Sequence, residues 1–216
     1  MHDHRYHFFL QIVPQLAKAA VNSLIIACGA TVLGLSGGTL VALIQYSGNR
    51  IANFFISIYI LLIRGTPMIV QIVFLYHVLN LPINPIYIAI LAIGLNSCAY
   101  ISQTIKTGIQ SIAPGELEAA SVMGFSRTQI IRYIILPQAF RAIFPSLGNE
   151  FVTLIKDSSL AYIIGVNELF KEAKSITSAS YDVLTVYLAI TFFYFVMTTT
   201  VTLCLQKYEK SLEKQC

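Results

Sequence analysis

Residues 19–46 read AAVNSLIIACGATVLGLSGGTLVALIQY, and the run from residue 19 to residue 49 contains no Asp, Glu, Lys or Arg. A helix of about 20 apolar residues is long enough to cross the hydrocarbon core of a bilayer. The run is too long for the apolar core of a cleavable signal peptide, and the tail before it is acidic and rich in histidine as well as basic. Residues 19–46 therefore predict a first membrane-spanning helix.

The composition of the whole chain agrees with this span. Of the 216 residues, 56% are hydrophobic and only 11% are charged, and the mean hydropathy is +0.71. Soluble domains carry about 25% charged residues, and disordered chains are poor in apolar residues. We therefore expect an integral membrane protein with lipid as a partner. The net charge of +4 is spread over loops and tails, which argues against a nucleic-acid partner.

The next uncharged run, from residue 65 to residue 105, is too long for one helix. Pro82 and Pro85 divide it, because proline removes a backbone donor and favours a turn. The sequence thus predicts a second span over residues 54–79, with Arg64 and Pro67 inside it or at its edge, and a third over residues 86–108.

Two more spans are predicted in the second half of the chain. Residues 183–206 are uncharged and form a clear last span. Residues 138–164 are apolar in character but carry Glu150, Lys156 and Asp157, so hydropathy alone allows either four or five spans in total. Residues 151–155 and 160–166 are too apolar for a loop of that length, which favours five.

The distribution of basic residues predicts the orientation. With five spans, one side holds the loop 111–137 and the C-terminal tail and carries eight Lys and Arg residues, whereas the other side carries five. The richer side is expected in the cytoplasm. The predicted fold is a single all-α membrane domain over residues 1–216, with five transmembrane helices, the N-terminus outside and the C-terminus inside.

The longest cytoplasmic loop in this scheme, residues 111–137, has its own helical pattern. Pro114 can open a helix, because its missing N–H has no partner in the first turn anyway, and Gly124 can end it. Ser126 and Gln129 form the pattern of a capping box for a second helix. That helix places its isoleucines on one stripe, is expected to lie at the membrane surface, and ends at Leu136-Pro137.

One face of the first helix in this loop carries small side chains. Ala119, Ala120 and Gly124 lie on or near it, and their lack of bulk allows close approach by another protein. The alternative is that these residues pack the loop against its own spans, and the residues alone leave both possibilities open.

Several motifs together resemble a known family. The residues Glu118-Ala119-Ala120, Gly124, Ile134 and Leu136-Pro137 resemble the EAA loop of bacterial ABC-importer permeases. Flanking motifs are similar to those of the polar amino acid permeases in this family, and the resemblance covers roughly residues 15–210. These motifs are Arg64-Gly65-Thr66-Pro67, Val70-Gln71, Asn96, Ala99-Tyr100, residues 108–112, Pro137-Gln138-Ala139, Pro145, Gly148-Asn149-Glu150 and residues 154–160.

The resemblance implies a transmembrane subunit of an ATP-driven importer in the bacterial cytoplasmic (inner) membrane. Its implied partners are a second permease subunit, identical or different, a cytoplasmic ABC ATPase dimer, an extracytoplasmic amino-acid-binding protein and a small polar amino acid. ATP and Mg²⁺ are expected on the partner ATPase, since this chain contains no phosphate-binding GxxxxGK[ST] motif. We expect no cofactor, catalytic site or metal site in the chain itself.

The resemblance also implies site residues. The helix with Glu118, Ala119, Ala120 and Gly124 corresponds to the coupling helix, which binds the ATPase. The substrate path is expected near Tyr100, Gln103, Asn149, Glu150, Asp157 and Ser158, with Asp157 binding the ligand's ammonium group. Family members often carry an acidic residue where this chain has Gln103, which puts a basic amino acid in doubt as substrate.

Two interpretations are possible for each of three charged residues in or near the spans. Lys156 and Asp157 can line the substrate path, or they can mark a helix end in water. Arg64 can pair near a kink at Pro67 or extend to the membrane surface, and a structural role is favoured. The histidines at residues 2–7 are expected in a solvated tail rather than at a metal.

Two other functions compete with the importer subunit. A stand-alone secondary transporter is disfavoured, because five spans do not form two equal inverted repeats. A membrane-embedded enzyme or scaffold is disfavoured, because the spans contain no paired acid and base and no metal-ligand cluster.

Overall fold

The computed structural model describes residues 2–213, with side chains described from residue 7 to residue 211. Lys214, Cys216 and the side chains of His2 and His4 therefore lie outside the described residues. Nine α-helices follow one another in this part of the chain, with a π segment before α7 and a 3-10 segment after it. They are α1 (His2–Tyr46), α2 (Arg50–Gly65), α3 (Met68–Leu79), α4 (Pro85–Gln110), α5 (Pro114–Val122), α6 (Arg127–Ile130), the π segment (Ile131–Ile135), α7 (Leu136–Asp157), the 3-10 segment (Ser158–Ile164), α8 (Leu169–Ser180) and α9 (Val183–Glu213).

Helix α1 is longer than the predicted first span and packs closely against α4. Gly34 and Gly38 make this contact possible. A Cβ atom at Gly34 would lie 2.7 Å from Oγ of Ser97, and one at Gly38 would lie 2.8 Å from Cγ2 of Ile101. The two helices can therefore approach only because these glycines have no side chain, as expected for small residues four positions apart in a membrane helix.

By length and hydropathy, three helices of the described chain can cross a membrane, namely α1, α4 and α9. Helices α2 and α3 together form a fourth candidate, broken by a bend of 112°. Helix α7 is not among the candidates, and it contains Glu150, Lys156 and Asp157. The membrane character of the fold is clear, and the count of five spans stays a prediction.

The predicted second span is not one straight helix. Helix α2 ends at Gly65, Thr66 and Pro67 are extended, and α3 begins at Met68. Proline lacks an N–H for the helix and its ring disfavours helical conformation in the residue before it, which explains a break at this point. The predicted second span, residues 54–79, therefore consists of two helices with a break at Pro67.

The loop 111–137 folds largely as predicted. Pro114 starts α5, Gly124 follows it with a φ of 83°, and Ser126 and Gln129 form both hydrogen bonds of a capping box. The second helix was predicted to end at Leu136-Pro137 and does not. It continues through the π segment into α7, and the wider π turn accommodates Pro137, which has no N–H to donate.

Apolar side chains form two main clusters. One lies where α1, α3, α4, α7 and the 3-10 segment meet, and contains Ile26, Ile72, Ile93 and Ile155. The other joins α1 to α8 and α9 through Leu16, Leu169 and Val186. Helix α2 has no fully buried residue, and its outer face leaves Phe54, Phe55 and Leu61 exposed.

Candidate functional site

A polar cavity opens where α1, α2 and α4 meet. Its volume is about 520 Å³, which is within the range of small-molecule sites. Its lining combines two cationic side chains with neutral polar groups and a tyrosine ring. The lining residues are Gln45, Ser57, Ile60, Leu61, Arg64, Gly65, Tyr100, Gln103 and Lys106.

Arg64 is the charged residue nearest the break between α2 and α3. Its Cζ atom lies 5.1 Å from the centre of the Tyr100 ring, which is the distance of a cation–π contact. Across the cavity, Gln103 donates a hydrogen bond from Nε2 to Oε1 of Gln45 at 3.3 Å. The cavity thus presents a guanidinium, a phenol and an amide, and can bind a small anionic or zwitterionic ligand.

A second cavity of about 430 Å³ continues from the first towards α7. Arg64, Tyr100 and Gln103 line both cavities, which makes them the common wall. The rest of the second lining comes from α4, the residue after it and α7: Thr104, Thr107, Gly108, Ser111, Ala142, Ile143 and Ser146. The two cavities together form a polar route along α4.

Of the six predicted path residues, Tyr100 and Gln103 lie in this route. Asn149, Glu150, Asp157 and Ser158 do not line either cavity. Oε1 of Glu150 accepts a hydrogen bond of 2.7 Å from Oγ of Ser97, which ties α7 to α4. Asn149 is exposed, Asp157 is half-buried, and buried Ser158 donates to the carbonyl of Ile155.

Arg64 and Lys106 line the cavity, although neither was among the predicted path residues. Arg64 had been given a structural role, and Lys106 had been counted only among the loop charges. A cationic residue at the edge of an apolar span is costly in lipid, so its position alone was a signal for a polar cavity. A kink at Pro67 was predicted, but the sequence does not give the 112° angle of the bend.

The loop 111–137, the predicted coupling segment, is open on one side. Glu118, Ala119 and Gly124 are exposed, whereas Ala120 is buried against its own chain. Ala120 therefore packs against its own chain, whereas contact of Ala119 and Gly124 with another protein stays a prediction. Val122 and Met123 at the end of α5 are 88% and 76% exposed, and the sequence analysis had not selected them. Such large apolar side chains on an exposed helix end favour contact with another protein.

The coupling segment is also joined to α7. Nε2 of Gln138 donates a hydrogen bond of 2.7 Å to Oε2 of Glu116 in the first turn of α5. This hydrogen bond connects α5 to the start of the helix that carries Glu150.

A buried carboxyl group lies at the other end of the bundle. Glu168 caps α8 by accepting hydrogen bonds of 2.8 Å from the N–H groups of Phe170 and Lys171. Its Oε2 also accepts from Tyr194 of α9 at 3.3 Å and from Ser23 of α1 at 3.5 Å. Burial raises the pKa of Glu168 from 4.5 to about 7, although these hydrogen bonds lower it.

This carboxyl predicts a pH dependence of stability. Because its pKa is higher in the folded state, the folded chain binds more protons than the unfolded chain between about pH 5 and about pH 7. Stability is therefore lost as the pH rises through this window. The melting temperature of the wild type minus that of Glu168→Gln should fall between about pH 5 and about pH 8 in detergent. Glu172→Gln on the same helix is the control. The prediction would be contradicted if the difference in melting temperature from the wild type were independent of pH for both variants.

An apolar helical bundle with a charged, ligand-sized cavity defines a membrane transport component. The family described as binding-protein-dependent transport system inner membrane component matches residues 34–214, and the chain belongs to this family. It is therefore a transport permease subunit of the inner membrane and not itself an enzyme. The family assignment decides against the secondary transporter and the embedded enzyme that the sequence had left as alternatives.

Individual relatives agree with this assignment. The glutamine transport system permease protein GlnP of Escherichia coli (strain K12) is 36% identical over 210 residues, which covers 93% of this chain and 94% of the relative. The L-cystine transport system permease protein TcyB of Bacillus subtilis (strain 168) is 35% identical over 187 residues, covering 85% and 80%. The resemblance to importer permeases is thus confirmed over nearly the whole chain.

Solved structures have the same fold. The crystal structure of an amino acid ABC transporter with histidines matches with a TM-score of 0.87 and 32% identity, covering 94% of this chain and 96% of that one. A chain of the inward-facing MetNI methionine ABC transporter matches with a TM-score of 0.79 at 17% identity, which concerns the fold alone.

Proposed function

We propose that the chain is the permease subunit of an ATP-driven importer for polar amino acids. It forms the translocation path with a second permease subunit, a cytoplasmic ABC ATPase dimer binds ATP and Mg²⁺, and an extracytoplasmic binding protein delivers the ligand. The observation that carries this proposal is the cavity shared by Arg64, Tyr100 and Gln103 in a chain of the permease family.

The cavity chemistry suits an amino acid. A zwitterion that enters a low-dielectric site loses hydration worth several kcal/mol for each charge, so fixed charges and dipoles must replace the water. The Arg64 guanidinium supplies a donor pair for the carboxylate, because its fork matches the two carboxylate oxygens. Asp157 does not line the Arg64 cavity, so its proposed contact with the ammonium group belongs to another point of the path, as do the proposed path residues Asn149, Glu150 and Ser158 on the same helix or just after it.

The relatives support a class of ligand rather than one compound. Their names refer to glutamine, L-cystine and arginine transport. Gln103, which lies in the cavity where family members often carry an acid, favours a neutral polar ligand over a basic one.

Coupling to ATP hydrolysis is assigned to the exposed side of α5. Glu118, Ala119 and Gly124 are open to a partner, and Val122 and Met123 add apolar area beside them. Ala120, the fourth residue of the predicted coupling set, supports this surface from within, because it is buried against the chain. The Glu116–Gln138 hydrogen bond supports a mechanical connection from this surface to α7.

Reconstitution tests the proposal. The permease, its co-purified ATPase and the binding protein are placed in liposomes, and uptake of a panel of amino acids is measured with and without ATP. ATP-dependent uptake of a polar amino acid supports the proposal. Uptake by the permease alone, driven by an ion gradient, would overturn it.

A separate prediction follows from the proposed orientation of the chain in the membrane. In the five-span arrangement with the N-terminus outside, α8 (Leu169–Ser180) faces the extracytoplasmic side, where its mixed charges suit a transient contact with the binding protein. Ser175 is exposed on α8, so Ser175→Cys should react with an impermeant thiol reagent added to intact spheroplasts. Ser121→Cys in α5 is the control and should react only in broken membranes. The reverse pattern would invert the proposed topology.

A further inference from the structure

The buried side-chain amide of Gln71 bridges the break between α2 and α3. Gln71, in the first turn of α3, is 9% exposed and donates from Nε2 to the carbonyl of Ile63 at 2.8 Å. The same nitrogen also lies 3.1 Å from the carbonyl of Thr66 and 2.8 Å from its hydroxyl. An amide nitrogen has only two hydrogens, so these three acceptors share them.

The residues that accept these hydrogen bonds lie on both sides of Arg64 in the sequence. Ile63 precedes it directly and Thr66 follows two residues later, so Gln71 fixes the backbone on both sides of the arginine. The carbonyls belong to the last turn of α2 and to the break, where the regular helix bonds are missing. In an apolar surrounding, a carbonyl without a donor is unfavourable by about 1–3 kcal/mol, which gives Gln71 a specific task at this position.

The oxygen of the same amide is held by α4. Oε1 of Gln71 accepts a hydrogen bond of 3.0 Å from Nδ2 of Asn96, which is 8% exposed. Asn96 lies four residues before Tyr100 and therefore on the same face of α4. The hydrogen bond from Asn96 thus attaches the bend to the face of α4 that carries the Tyr100 ring. Asn96 and Tyr100 are one helical turn apart on this face.

We propose that Gln71 is a positioning residue for ligand binding. By bridging Ile63, Thr66 and Asn96, it holds the Arg64 guanidinium over the Tyr100 ring at the wall of both cavities. It thereby sets the affinity for the ligand's carboxylate without touching the ligand. This inference rests on the proposed function, because it takes the Arg64 partner to be the carboxylate of an amino acid.

Ligand selectivity tests the proposal in the purified permease–ATPase complex. Binding of L-glutamine and of L-glutaminamide, which lacks the carboxylate, is measured for the wild type, Gln71→Met and Arg64→Met. Gln71→Met should weaken L-glutamine binding roughly tenfold and leave L-glutaminamide binding nearly unchanged, and Arg64→Met should show the same selectivity. Gln206→Met, an exposed glutamine of α9, is the matched control. Equal losses for both ligands would show that Gln71 only stabilises the fold, and would overturn the proposal.

A second measurement needs no ligand. Arg64→Cys is labelled with a charged methanethiosulfonate reagent, alone and together with Gln71→Met or with the milder Asn96→Ala. Loss of the Gln71 bridge should change the labelling rate strongly, and loss of Asn96 should change it less in the same direction. An unchanged rate with both second substitutions would overturn the proposal even if Gln71→Met assembles poorly. Absence of amino acid binding by the wild type, together with a changed rate, would refute the ligand role and leave the positioning of Arg64 supported.

Discussion

Replacing Arg64 with methionine is expected to reduce ATP-dependent amino acid uptake roughly a hundredfold. A charge-assisted pair between guanidinium and carboxylate contributes about 1.5–3 kcal/mol, and its loss leaves the ligand's carboxylate in the cavity without a charged partner. Methionine has a comparable apolar length but cannot donate. The measurement is uptake in proteoliposomes with saturating binding protein, together with the basal ATPase rate, which should change little.

Two further variants decide how this result is interpreted. Arg64→Lys keeps the charge and loses the planar fork, so it should recover part of the uptake. Arg50→Met removes the other arginine of α2, which does not line either cavity, and should be nearly silent. Uptake by Arg64→Met at the wild-type level would remove Arg64 from the ligand site and support a structural role at the membrane surface.

Local chemistry in this sequence was sufficient to predict several elements. Pro114 and Gly124 delimit α5, and Ser126 with Gln129 caps the next helix, because these signals act within a few residues. Gly34 and Gly38 likewise have the four-residue spacing that is typical of a tight helix contact, although the partner helix, α4, cannot be identified from α1 alone.

Geometry that depends on several helices could not be predicted. The sequence placed Pro67 at a kink, but it could not predict the 112° angle of the bend or that the Gln71 amide links the bend to Asn96 on a different helix. The cavity likewise depends on the packing of several helices. Tyr100 and Gln103 were selected through resemblance to a family, whereas Lys106 was missed because its neighbours on α1 and α2 are distant in sequence.

The second large effect is expected at Gly124, which ends α5 with a φ of 83°. The N–H of Phe125 donates to the carbonyl of Ala120 at 3.1 Å across this residue, closing the helix end. A β-branched residue is disfavoured in this conformation by roughly 1–2 kcal/mol, and relief of the strain would unwind the cap. Gly124→Val should therefore displace Val122 and Met123 from the surface that we assign to the ATPase.

The predicted result for Gly124→Val is uncoupling: the protein inserts and ATP hydrolysis persists, but uptake per ATP falls roughly tenfold or more. ATP hydrolysis and uptake are measured in the same proteoliposomes, so that their ratio reports coupling directly. Gly48→Val is the matched control, since Gly48 has a φ of 76° and open space around it but lies in the turn between α1 and α2. If both variants lower uptake and hydrolysis in parallel, the loss reflects backbone strain in general. A normal ratio in Gly124→Val would show that α5 is not the element that transmits ATP hydrolysis to the cavity.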